Sequence, residues 1–419
     1  MGKPTIRFEG YTDDWEQRKF GDLADYKKGP FGSAITKDMF VPKSEESIKV
    51  YEQQNAINKD WELERYFLPK EYALTKLKSF EVHGGDIIVS CAGTIGEIYE
   101  IPENADTGVI NQALMRVRVD EDCVDKRMFK IAFSNMIDDF TRVHSNGSAI
   151  KNIPPFSDLK PMGVLLPSLQ EQEKISSYFE KLDNLITLHH RKCEETKKLK
   201  KFMLQKMFPK KGEKVPDIRF DGFTDDWEQR KLGEITTEKL SNGIMNHPSE
   251  EMTGVKHINV INMYTSDRIH IEDLTDSEYD DDAVKKCNVE VGDIFLTRSS
   301  VKPEGIAEAN VLLDSGQYVY DDHLIRMKID KCKYDAFFVK ICLGTPLIKK
   351  QFIMKSKTTA FTTIGQDDIA SCDCVFPSYG EQKAIGAFFD DLDHLITLHQ
   401  HKCEELQNIK KFMLKNMFI

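Results

Sequence analysis

Two blocks of this 419-residue chain occur twice. Ile6 to Gly21 reads IRFEGYTDDWEQRKFG, and Ile218 to Gly233 repeats it 212 positions later with 13 of 16 residues identical. Pro167 to Phe208 returns as Pro377 to Phe418 at an offset of 210, with 24 of 42 positions identical. The chain is therefore a tandem duplication, A-B-A′-B′, whose repeated blocks flank stretches that hardly match. Such a layout calls for one framework built twice around two different contents.

The B blocks have the pattern of long helices. Each begins with Pro and the sequence S-x-x-E, at Ser168 to Glu171 and Ser378 to Glu381, which predicts a capping box. Apolar residues then recur at heptad spacing. With Ile175 at position a, the first copy places Leu182 and His189 at a, Leu185 at d and Ile186 at e. The second places Leu392 and His399 at a, Leu395 at d and Ile396 at e. These eight residues are the expected core of a helix pair, in a stripe wide enough for more than one neighbour. About 40 residues of helix extend roughly 60 Å, which leaves the duplicate as the natural partner, antiparallel about a pseudo-two-fold axis with His189 and His399 near it.

The divergent stretches mix short strand-like runs, such as Gly85 to Ser90 and Gly292 to Thr297, with amphipathic segments at Lys126 to Phe140 and Ala336 to Ile353. The expected class is α+β: two globular domains, 1–166 and 217–376, and two long antiparallel helices, 167–208 and 377–419. The Pro- and Lys-containing segment 209–216 has the composition of a linker.

Little in the sequence points to catalysis. Phosphate-binding Gly loops and HExxH are missing, and Asn152-Ile-Pro-Pro-Phe156 departs from a methyltransferase motif because Ile153 separates the Asn from the prolines. Nine scattered cysteines without CxxC predict reduced thiols and no metal site. Apolar runs are too short for a membrane span, and MGKPTIRFEG has no signal-peptide core, so a cytoplasmic location is expected.

A net charge of −11 argues against a generic polyanion surface, though Arg191 to Lys211 carries nine basic residues against Glu194 and Glu195. The polar loop residues suited to nucleic-acid contacts are Ser33, Ser90, Thr94, Asn111, Gln112, Asn146, Ser148 and Lys151 in the first stretch. In the second they are Arg298, Ser299, Ser300, Lys302, Lys357, Thr358, Thr359 and Thr362. Side chains of these types contact base edges and phosphates, and equally serve turns and caps.

The order and duplication of these features resemble the specificity (S) subunit of type I restriction-modification enzymes. The likeness rests on RFxGxTDDWEQRKxG, on Gly85-Asp-Ile-Ile-Val-Ser-Cys-Ala-Gly-Thr-Ile-Gly96 and Gly292-Asp-Ile-Phe-Leu-Thr-Arg-Ser-Ser300, and on the Pro-Ser-x-x-Glu-Gln openings of the long helices. It implies two target recognition domains reading a bipartite, asymmetric double-stranded DNA site, with the helices as spacer. It further implies a non-catalytic chain without a cofactor of its own. Type I modification subunits would supply methylation from S-adenosylmethionine, and restriction subunits would supply chemistry that uses ATP and Mg. A stand-alone duplicated DNA-binding regulator and a protein-interaction scaffold remain the alternatives.

Overall fold

The computed structural model describes residues 4–144, 152–252 and 254–418. The chain forms two compact units, 1–185 with 406–419 and 186–405. Each contains part of both long helices, Leu169–Lys206 and Tyr379–Met417.

The two units share a topology despite their unlike sequences. In the first, a four-stranded antiparallel sheet runs in the order Ala24–Lys28, Leu114–Val119, Ile87–Ser90, Ile98–Glu100. The second unit repeats that order with Ser241–Asn242, Leu324–Met327, Ile294–Thr297 and Ala309–Val311. Each unit also has a parallel strand pair, Ser47–Tyr51 with Gly108–Ile110 and Val255–Ile258 with Gln317–Tyr320. The central strands are buried on both faces, which is why Ile87, Ile88 and Val89 read as an unbroken β-branched run. The expected helix from Ala336 to Ile353 is two helices, Ala336–Leu343 and Pro346–Lys355. Pro346 has no amide hydrogen to continue the ladder and instead starts the second one.

The repeated blocks meet each other. Glu16–Lys19 pairs antiparallel with Gly163–Leu166, and Glu228–Lys231 pairs in the same register with Asp373–Phe376, so the A block is bonded to the strand that leads into B. Arg7 donates from Nε and Nη2 to both carboxylate oxygens of Glu171, each at 2.7 Å. Arg219 grips Glu381 at the same two distances. The carboxylates are 1% and 0% exposed, so these pairs are desolvated. The Glu side chains are thus taken by Arg, and the expected capping box is not their role. The following Gln172 and Gln382 bind the amides of Asp125 and Asp335, at the heads of the Lys126–His144 and Ala336–Leu343 helices, at 2.9 Å.

The ends of the long helices are equally well anchored. In the second unit Phe208 packs edge-on against Trp227, and the Ile218 amide bonds the Lys206 carbonyl at 2.9 Å. In the first unit Phe418 packs edge-on against Trp15, and the Ile6 amide bonds the Asn416 carbonyl at 3.0 Å.

Within the second unit the helices run antiparallel. Cys193 lies against the Ile396 carbonyl, Lys200 pairs with Asp393, and Cys403 bonds the Ile186 carbonyl. At the centre His189 and His399 approach with their Nδ1 atoms 3.0 Å apart, as their shared a positions require. The expected core needs one correction. The stripe steps through Ile175, Phe179, Leu182, Ile186, His189 and Cys193, which are the a and e positions. Leu182, Leu392 and Ile396 are buried, whereas Leu185 and Leu395 are 43% and 42% exposed. Leu185 sits about 100° around the helix from Ile186, outside so narrow a seam.

Two outcomes follow from these contacts. Glu381→Ala removes the buried carboxylate from a half-buried guanidinium that keeps only the Asp225 carbonyl, and should destabilise the second unit by about 2 kcal/mol in urea unfolding, against under about 0.5 kcal/mol for Glu228→Ala at an exposed pair. One His Nδ1 must be unprotonated to accept from the other, and partial burial, followed by the charges of His399, Lys192 and Lys402, lowers the His189 pKa. The folded state then binds fewer protons than the unfolded one, so stability is full above about pH 6.5 and falls as pH drops through and below it. A melting series from pH 8 to 5 should show that loss, and a His189→Leu/His399→Leu protein should show less of it, the remainder coming from the buried His257, whose pKa burial also lowers.

Candidate nucleic-acid interface

In each unit a buried hydroxyl closes the loop that follows the central strand. Ser90 is fully buried, and its Oγ accepts the Glu97 amide at 2.9 Å. Thr297 is fully buried, and its Oγ1 accepts the Glu308 amide at 2.9 Å. The loop ends on a left-handed residue in both, Gly96 at φ 81° and Ala307 at φ 50°, each donating its amide to the carbonyl of the buried hydroxyl residue. The same clasp therefore holds loops of different length: Ser90 to Glu97 spans seven steps, and Thr297 to Glu308 eleven.

The longer loop gathers most of the second group of predicted residues. Ser299–Ser300 pairs antiparallel with Thr362–Thr363, which pairs with Lys357–Thr358, giving a three-stranded sheet. Residues more than 50 positions apart in the chain thus share one surface. Arg298, Lys302, Lys357, Thr358 and Thr359 are exposed on it, and Ser299 and Ser300 are half-buried. The Arg298 side chain has no hydrogen bond or ion pair among the described residues, while its backbone is tied to His323 and Ile364. Thr362 is different: it is fully buried, with its hydroxyl 3.2 Å from that of Thr358, so its work is within the sheet.

In the first unit Ser90 likewise turns inward, as the buried end of a strand whose side chains pack on both faces. Thr94 is exposed, with its carbonyl held by Gln53 at 2.9 Å. Asn111 uses its side chain on the Ala113 amide at 3.0 Å and leaves Gln112 exposed. Ser33 is exposed on the neighbouring turn Gly32–Ala34. Just before that turn the backbone at Gly29 passes against Asn111, which only a residue without a side chain allows; a Cβ there would fall 1.8 Å from the Asn111 carbonyl. Asn152 bridges Ala92 in an isolated antiparallel pair. Asn146, Ser148 and Lys151 lie outside the described residues.

Three apolar side chains on these loops are exposed and lie outside the expected set: Phe31 is 90% exposed, Val301 77% and Phe361 55%. For Phe31 a signal existed, since an aromatic between Pro30 and Gly32 at a turn has nowhere to pack. Nucleophilic chemistry gains no support nearby, because burial pushes the Cys91 thiol up to about 12 and keeps it protonated.

The sequence model of the type I restriction modification DNA specificity domain matches this chain twice, over residues 12–198 and 224–408. The chain belongs to that family. Among similar proteins of Methanocaldococcus jannaschii, the MjaVIII type I restriction enzyme specificity subunit is 23% identical over 422 residues, covering 95% of this chain and 91% of the relative. The MjaX specificity subunit is 27% identical over 268 residues, or 61% of this chain, and the match spans only 58% of that relative. A crystal structure of the S subunit of the M. genitalium type I system aligns with a TM-score of 0.60 at 14% identity, covering 100% of this chain and 99% of that one. A second structure, from work on complex assembly and conformational transition of the type I system, gives 0.52 at 15% identity, with 97% of each chain covered. At such identities the likeness is one of fold. Both matched segments begin within an A block and end within a B block, so a family domain includes the bonded frame of strand, strand and helix. Among the described residues no helix is long and apolar enough to cross a membrane.

Thr297→Val keeps the volume and removes the hydroxyl that accepts the Glu308 amide. The expected result is faster hydrogen exchange at Glu308 and a loss of about 1–2 kcal/mol, with the Glu97 amide in the first unit unchanged.

Proposed function

We propose that this chain is the DNA-sequence-specificity subunit of a type I restriction-modification complex, with each unit reading one half of a bipartite, asymmetric site. The observation that carries this reading is the common clasp with unlike loops. Two units of one topology hold different side chains at equivalent positions: Cys91 against Arg298, and Asn111-Gln112 against Asp321-Asp322. Equal placement with unequal chemistry is what two different half-sites require. Arg298 suits a bidentate guanine contact, and Lys302 and Lys357 suit phosphates.

Docking of modification subunits is supported by the helix surface. Leu185, Leu199 and Phe202 on the first helix are 43%, 45% and 49% exposed, and Leu395, Leu398 and Phe412 on the second are 42%, 52% and 57% exposed. Leu185 matches Leu395 and Phe202 matches Phe412 at the repeat offset, so each helix carries an equivalent apolar stripe outside the paired seam. Exposed apolar residues in register are a protein-docking signature, and two copies fit two equivalent partners. Methylation and ATP-driven restriction belong to those partners, in the cytoplasm where the DNA lies.

Co-expression with a type I modification subunit, followed by genome-wide mapping of methylated adenine, tests both parts. Exchanging Arg298, Ser299 and Ser300 for Ala should change or relax one half-site by about 10-fold or more and leave the other intact. Leu185→Glu with Leu395→Glu should abolish capture of the modification subunit while the isolated chain melts unchanged. Equal loss at both half-sites, or capture unaffected by the two charges, would overturn the respective part.

A further inference from the structure

The turn Asp321-Asp322-His323 occupies, in the second unit, the place that Asn111-Gln112-Ala113 holds in the first. The backbone match is complete: Asn111 and Asp321 bond the carbonyls of Tyr51 and Ile258, and Ala113 and His323 offer carbonyls to Cys91 and Arg298, both at 2.8 Å. Their side chains differ in kind. Two neutral amides and a methyl are replaced by two carboxylates and an imidazole, on a surface proposed to approach a polyanion.

The ligating atoms of these three side chains all lie within 4.8 Å of one another. His323 Nδ1 is 3.0 Å from Asp321 Oδ1 and 2.9 Å from Asp322 Oδ1. Adjacent ligands around an octahedral ion at about 2.1 Å stand about 3.0 Å apart, so the hydrogen-bonded spacing of these side chains, with Asp321 Oδ1 also accepting the His323 amide at 2.8 Å, matches two edges of a coordination face. A second observation points the same way from inside the unit. His257 is 0% exposed, and among the described residues neither of its ring nitrogens has a hydrogen-bond partner. Its Nε2 faces Asp321 Oδ2, the outer oxygen of the same carboxylate, at 3.7 Å. The first unit has Val50 at this place, one residue before Tyr51 as His257 is one before Ile258.

We propose that Asp321, Asp322 and His323 bind a divalent transition-metal cation through Asp321 Oδ1, Asp322 Oδ1 and His323 Nδ1, with His257 orienting Asp321 from behind. A buried imidazole with an N–H to give and a carboxylate that holds a metal form a familiar outer-layer arrangement, and it accounts for a buried histidine that is otherwise without a partner. The cation also neutralises two carboxylates that would repel phosphate. Because the His323 carbonyl holds the Arg298 amide, the metal braces the strand that presents Arg298. That last consequence rests on the DNA reading above, whereas the site itself does not.

Calorimetric titration of the chelator-stripped full-length chain with Zn²⁺, and absorption on adding Co²⁺, test the site without DNA. The first unit supplies the controls. Asp321→Asn/Asp322→Gln/His323→Ala installs its own turn and should remove one equivalent of bound metal and the associated rise in melting temperature, with the metal-free melt unchanged. His257→Val should weaken binding by about 10-fold or more while leaving the stoichiometry intact. The site is refuted by a wild-type chain that takes up no metal, or by a triple variant that binds as the parent does, which would assign the ion to other groups such as His189 and His399. An unaltered affinity in His257→Val removes that residue from the site. Metal binding with normal titration but no effect on methylation at the second half-site would keep the site and reject its link to recognition.

Discussion

The rest of the structure depends on two arginine-glutamate pairs. Arg7 with Glu171, and Arg219 with Glu381, are separated in sequence by 164 and 162 residues, yet each carboxylate is almost wholly removed from water. A buried ion can remain charged only while its partner stays in place, and losing one member costs far more than the pair gains over apolar packing. The lead-in must therefore return to the start of the long helix before the unit can close. That requirement explains why A and B are retained together in both copies although a whole domain lies between them: the paired strands, the Arg-Glu clamp and the Gln anchor are one object divided in sequence.

Inside that frame the chain is held by backbone rather than by identity. Both units use strand order, a parallel pair and a buried hydroxyl under a left-handed turn, and these need only a small residue, a β-branched run or a Ser or Thr in the right place. Exposed side chains beyond the clasp, such as Arg298, Val301 and Lys302, can change at little cost to folding. The loops can then diverge in length and charge while the frame is untouched.

The duplication, the α+β class, the helix pair and the position of His189 opposite His399 were legible in the sequence because they depend on repetition and period. What was not legible depends on the direction in which a side chain points. Ser90 and Thr362 look like available hydroxyls, but both turn inward, since nothing in a single sequence tells the buried end of a strand from its first exposed residue. Leu185 and Leu395 fit the heptad and still lie outside the seam, because a stripe three residues wide can be served by either of its edges. Phe31 had a local signal in its Pro-Phe-Gly turn, whereas the approach of the buried His257 to Asp321 joins residues more than 60 positions apart and has no local signal. Gathering Arg298 to Lys302 with Lys357 to Thr359 is likewise a product of sheet pairing across more than 50 residues, though each member could be chosen by chemistry alone.

The aromatic contacts at the helix ends bear on ancestry. Phe208 fills the core next to Trp227, and Phe418 fills the core next to Trp15, so the last turn of each repeat completes the unit begun by the other. A single repeat is therefore not self-sufficient: its helix tip lacks a socket and its socket lacks a tip. Two copies of one half-length ancestor would satisfy each other by exchanging those tips, and would present two identical loops. Joining the two repeats in one chain through Pro209 to Pro216 supplies both tips and both sockets, and leaves the loops of the two units free to differ.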